Sequence, residues 1–181
     1  MIKSERKIAM TDIESTGLIP GVHEILEIGL VVFDQNTFEI VDTLNIKTKP
    51  LHIENAMPES LVVNGYQAEN WTKAVSLKEA IEIYAEKTKD AVFCAYNATF
   101  DWSFINDAFI KTGVPNPLIT KENHDRLDLL SIAFAKGLNK SESLSLRSAC
   151  EMFGVPKEPL PHTAMNGAMT DYELFKKLYS S

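Results

Sequence analysis

The stretch Thr11–Leu18, TDIESTGL, decides how this chain is read. It ends a strand expected over Lys7 to Asp12. Because side chains alternate between the two faces of a strand, Asp12 and Glu14 project the same way. Two carboxylates on one face supply hard oxygen ligands for Mg²⁺ or Mn²⁺, and Gly17 lets the backbone turn sharply beside a ligand. Two readings of the pair stay open at this point, a cation site and a solvated strand edge.

Outward from that stretch, Glu24 to Phe33 and Phe38 to Lys47 are apolar or alternating, rich in Ile and Val, and separated by Gly, Pro, Asn and Asp. With Lys7 to Asp12 they predict three neighbouring strands in a meander. Helical spacing then takes over. Ser76 and Glu79 form a capping-box pattern, and Leu77, Ala80, Ile81, Tyr84 and Ala85 recur on one helical face. Ala91 to Tyr96 reads as a strand and Phe100 to Lys111 as a helix. Further helices are expected at Leu129 to Lys136, at Leu144 to Phe153 with Gly154 and Pro156 as stop signals, and at Met165 to Tyr179. Strands first and helices after point to a mixed α/β sheet flanked by helices. No repeat, low-complexity tract or linker divides the chain, so one domain over 1–181 is expected.

Two more groups of residues could carry chemistry. Asn97 and Asp101, in YNATFDWSFI, straddle a strand end and a helix start, where a capping role and a site role are equally open. His162, in PHTAMNGAMTDYELF, precedes a helix; it reads as a surface residue, a helix-flanking donor, or a group that exchanges a proton near neutral pH.

The formal net charge of -7 argues against a protein that grips duplex nucleic acid through a broad basic face. It leaves a short single-stranded end open as a ligand, because carboxylates that hold divalent cations become locally neutral or positive. Cys94 and Cys150 have no C-x-x-C spacing and read as buried free thiols in a reducing compartment. The polar N-terminus, Met1 to Lys7, lacks a signal-peptide core, and the longest apolar block, Ile28 to Phe33, is too short to span a bilayer. A cytoplasmic protein with no membrane partner is therefore expected.

Taken in order, D-x-E-x-T-G-L, then Asn97 with Asp101, then a late His162 followed by a helix, the chain resembles the DEDDh 3′→5′ exonucleases of the ribonuclease H-like fold, the family of the proofreading exonuclease of DNA polymerase III. ENAMPESLVVNGY, RLDLLSIA and SLSLRSACEMFGV resemble its intermediate and later segments, so the likeness covers nearly the whole chain. It implies a mixed five-stranded sheet and a two-metal phosphodiester hydrolase using Mg²⁺ or Mn²⁺. Asp12, Glu14 and Asp101 would be the metal ligands and His162 the general base. Thr16, Gly17, Leu18, Asn97 and Phe100 would lie at the substrate, with Phe100 or Trp102 stacking on bases; core packing is the other reading of Phe100. Nucleoside 5′-monophosphates would leave single-stranded or frayed DNA or RNA 3′ ends, and a DNA polymerase is an implied partner.

The sequence departs from that pattern at one ligand. The family's fourth carboxylate follows the histidine by five positions, where this chain has Gly167, while the flanking Ala164 and Ala168 fit. The resemblance thus implies a weakened water-activating metal and an impaired enzyme, or a binding module that keeps the fold without catalysis. Asp171, one helical turn on, is displaced by about 6 Å along the axis, too far for direct replacement but within reach of a bridging water. Asn166 is rotated by about 100° and is a weaker, neutral ligand.

Overall fold

The computed structural model describes residues 6–179, so the polar stretch over 1–5 lies outside the described residues. Strand β1 (Lys7–Ser15) pairs antiparallel with β2 (Ile25–Asp34), which pairs antiparallel with β3 (Ile40–Lys47), the expected meander. The chain continues through α1 (Pro58–Val63), α2 (Leu77–Thr88), β4 (Ala91–Ala95), α3 (Ala98–Thr112), β5 (Arg126–Asp128), α4 (Leu129–Ala135), α5 (Leu146–Phe153) and α6 (Ala164–Tyr179). The order across the sheet is β3-β2-β1-β4-β5, with β4 parallel to β1 and β5 parallel to β4. It is the mixed five-stranded α/β sheet, flanked by helices, that the strand-then-helix pattern and the resemblance implied.

Local signals explain the element ends. Ser76 Oγ accepts the Glu79 amide at the start of α2, and Ser145 Oγ accepts the Ser148 amide at the start of α5. Gly154, at φ 69°, ends α5 in the left-handed conformation that glycine adopts without a Cβ clash. Alternation along β1 then divides the interior. Ala9 and Ile13 face Ile81, Tyr84 and Ile105 under α2 and α3, whereas Ile8 and Met10 face Leu129, Ala149 and Phe175 under α4, α5 and α6. Covering both faces of β1 and β2 contributes about 2 kcal/mol for each large apolar side chain removed from water. Among the described residues no helix is long and apolar enough to cross a membrane.

Unequal strand lengths create the site. Strand β4 pairs with β1 only from Lys7 to Met10, while β1 runs on to Ser15 with β2 alone beside it. That open edge, at the carboxyl ends of parallel strands, is where open α/β sheets place ligands. Helix α6 seals the other face at the same level. A Cβ on Gly29, the residue paired with Asp12, would fall 2.0 Å from the Ala164 carbonyl oxygen, so only glycine lets the first turn of α6 lie on β2.

Candidate active site

Asp12 and Glu14 share the α6 face of β1, and both line a groove of about 340 Å³ together with Tyr96, Arg147, Lys157, Glu158 and His162. Asp101 approaches the same stretch of β1 from α3. Its Oδ1 accepts the Ile13 amide at 3.1 Å, filling the hydrogen bond that β4 is too short to supply. Asp101 is therefore more than a helix cap. Nor does Asn97 cap α3: it sits in the left-handed region (φ 57°), exposed and without a side-chain cap bond, and Asp128 Oδ1 accepts the Ala98 amide instead, at 3.0 Å.

The carboxylates crowd one another. Burial, followed by the charges of Asp101, Asp171 and Glu14, pushes Asp12 well above the usual carboxylate range. Burial and then the Glu158 charge push Glu14 up to about 8. Asp101 is raised by burial against the lowering bond from Ile13. Asp171, 1% exposed, accepts the Tyr96 amide on Oδ2 at 3.1 Å and is raised well above the usual range by burial and the Asp101 charge. Among the described residues, Asp171 Oδ1 has no hydrogen-bond partner, and none of these four carboxylates has a lysine or arginine among the charges that dominate it. Carboxylates crowded together with no organic counter-ion are the donor chemistry of a hard divalent cation, and Asp12, Glu14 and Asp101 fit such an ion.

His162 closes the groove. Its backbone amide donates to the Val63 carbonyl (3.2 Å), tying it to α1, and Asn64, just beyond α1, donates from Nδ2 to the Ser15 carbonyl at 3.1 Å. Its Nδ1 lies 3.0 Å from Glu158 Oε2. Glu158 escaped the sequence reading because it sits in the irregular segment before α6, where no periodicity marks it; its place four residues before His162 was the one available signal. Arg147 and Lys157 on the groove wall were missed too, although Lys157 is ion-paired with Glu151.

The expected substrate residues divide. Leu18, 61% exposed, and Phe100 line an apolar pocket of about 330 Å³ beside Glu14, with Met57 and Val63 from the α1 segment. Thr16 is fully buried, and its Oγ1 accepts the Glu24 amide at 2.9 Å, which engages the side chain in the turn that carries Leu18. Gly17 packs closely on the same turn, since a Cβ there would fall 2.3 Å from the His23 ring. Trp102 turns away from the groove, packing edge-on against Phe93 (5.2 Å) with the Arg126 guanidinium 3.6 Å above its ring. Cys94 and Cys150 are buried free thiols, with Cys150 pushed up to about 11 by burial.

The sequence profile of the Exonuclease (RNase_T) family matches residues 10–175. The chain is 28% identical over 184 residues to the 3′-5′ DNA exonuclease Cap18 of Escherichia coli, an alignment covering 97% of this chain and 93% of that protein. It is 31% identical over 144 residues to the PolC-type DNA polymerase III of Thermotoga maritima, covering 80% of this chain but 10% of the polymerase. In fold, Escherichia coli Exonuclease I in complex with a dT13 oligonucleotide superposes with a TM-score of 0.81 over 97% of this chain and 41% of that one, at 14% identity. With a profile match over nearly its whole length and the matching mixed sheet, the chain belongs to the Exonuclease (RNase_T) family and is a 3′→5′ exonuclease of the ribonuclease H-like fold.

Proposed function

We propose that the chain removes nucleoside 5′-monophosphates from the 3′ ends of single-stranded DNA, using Mg²⁺ or Mn²⁺ held by Asp12, Glu14 and Asp101. The observation that carries this reading is that Asp12 and Glu14 line one groove with His162, while Asp101, from α3, bonds the amide of Ile13 between them and adds its charge to Asp12. DNA is taken as the substrate on the likeness to Cap18, a 3′-5′ DNA exonuclease that the alignment covers over 93% of its length.

Divalent cations, when bound, stabilise developing charge on the phosphate and acidify a water. The chain's own residues do the rest. The Ile13 amide fixes the Asp101 carboxylate, and the Leu18 and Phe100 wall takes the terminal base out of water. With Nδ1 engaged by Glu158, the Nε2 of His162 is the ring atom left to accept the proton of the attacking water. Gly167, which adds no carboxylate, is expected to make turnover slow.

Incubation of a 5′-labelled single-stranded oligonucleotide with the protein and either cation tests this: a ladder shortened from the 3′ end, lost in Asp12→Ala, is expected. Tight oligonucleotide binding with no ladder under either cation would refute it and identify a non-catalytic binding module. A ladder on RNA but not on DNA would move the substrate class alone. Association with a DNA polymerase rests on the Thermotoga maritima likeness and is checked by co-elution with a polymerase subunit.

A further inference from the structure

Position 167 supplies no ligand, and the space is taken: a Cβ there would fall 2.3 Å from Asp12 Oδ2. Asp171 is sealed at 1% exposure, with one oxygen on the Tyr96 amide, and it does not line the groove. Glu158 does. Its side chain is 10% exposed, it stands on the groove wall with Asp12 and Glu14, and ligand atoms of Glu14, Glu158 and His162 lie within 4.8 Å of one another.

We propose that Glu158 replaces the missing fourth carboxylate, holding with Glu14 the cation on the His162 side of the groove. The inference rests on the metal-dependent reading above and deepens it. Orienting His162 would need only the bond to Nδ1. It would not require a second carboxylate, nine-tenths buried, beside Glu14, where like charges repel unless a cation lies between them. Glu158 has the capacity for all its partners. Oε2 faces His162, Oε1 accepts the Thr163 amide at 3.3 Å, and an ionised carboxylate has about four acceptor positions. The segment between α5 and α6 thus brings to the groove from outside the helix what the helix itself lacks at Gly167.

Mn²⁺ titration of the free protein, followed by calorimetry and by the electron paramagnetic resonance of unbound Mn²⁺, tests this without turnover. Glu158→Gln keeps the acceptor for Thr163 and is expected to weaken one Mn²⁺ site by about tenfold or more, at least the loss that removing an outer-shell partner of a metal ligand produces. Glu158→Asp should recover part of that affinity. Asp12→Ala is the control for the parent reading and should abolish Mn²⁺ binding. Native affinity in Glu158→Gln, with binding still lost in Asp12→Ala, would overturn the proposal while leaving the metal-dependent reading intact. It would assign Glu158 to positioning His162. Failure of the native protein to bind Mn²⁺ would overturn both.

Discussion

Gly167 presents its Cα so closely to Asp12 that a Cβ would lie 2.3 Å from the carboxylate Oδ2. The glycine is therefore more than a missing ligand, because the Asp12 side chain packs into the space it leaves. Replacing an interior helical glycine by alanine ordinarily stabilises by about 1 kcal/mol. Here that gain is expected only in an Asp12→Ala background; in the native background Gly167→Ala should gain nothing or lose stability, since the new methyl displaces Asp12. Urea denaturation of the two single variants and the double variant measures the coupling. Equal effects of Gly167→Ala in both backgrounds would contradict the contact. The same crowding means that Gly167→Asp cannot restore a family-like site unless Asp12 first rotates.

Asp101 has two duties that substitution separates. Asparagine keeps an oxygen for the Ile13 amide, so Asp101→Asn should fold with native or higher stability in metal-free buffer while losing Mn²⁺ affinity and activity. Alanine leaves that amide unpaired at an open strand edge and should cost about 1–3 kcal/mol as well. Thermal denaturation beside Mn²⁺ titration reads both. A large stability loss in Asp101→Asn would show that the charge, rather than the acceptor, holds the strand end.

Much of this was legible in the sequence, for identifiable reasons. The meander, α2 and α6 carry strong periodicity, and Asp12 with Glu14 follow from alternation along β1. Strand β5 was not, because three residues, Arg126–Asp128, are too few to alternate. Asp101 was found as a residue type in a pattern, but its bond to Ile13 depends on β4 stopping short, a length that sequence does not encode locally. Glu158 reaches the groove from an irregular segment, and the bond of Thr16 to the Glu24 amide and the contact of Trp102 with Phe93 join residues that no local motif connects.

The carboxylate crowding should invert the usual acid sensitivity. Glu14 shifts from an ordinary 4.5 to about 8, and Asp12, Asp101 and Asp171 move in the same direction. A carboxyl whose folded pKa is raised binds more protons folded than unfolded between those two values. Its stabilising contribution is complete below the unfolded pKa and is lost as pH rises through the folded one. The metal-free protein should therefore lose stability between about pH 4.5 and pH 8. Saturating Mn²⁺ should restore most of that loss, and most strongly at pH 8, because the ligands bind metal deprotonated. Melting temperatures across that range, with chelator and with Mn²⁺, decide it; a chelated protein that gains stability up to pH 8 would rule out the crowded set as described.

Leu18 and Trp102 provide a paired test of where the strand lies. Leu18 is 61% exposed at the mouth of the apolar pocket, so Leu18→Ala should change folding stability by no more than about 0.5 kcal/mol. Removing its contact with the terminal base should nevertheless raise KM for an oligonucleotide several-fold, with a smaller effect on kcat, since the contact is made before and during the reaction alike. Trp102 should behave oppositely: Trp102→Ala removes packing against Phe93 and Arg126 and should cost roughly 2 kcal/mol or more while leaving KM near native at temperatures where the variant is folded. Steady-state kinetics and denaturation on the two variants separate pocket from core. If Trp102→Ala raised KM and Leu18→Ala did not, the nucleic acid would have to cross the β4 and β5 side of the sheet, and the pocket beside Glu14 would not receive the 3′ end.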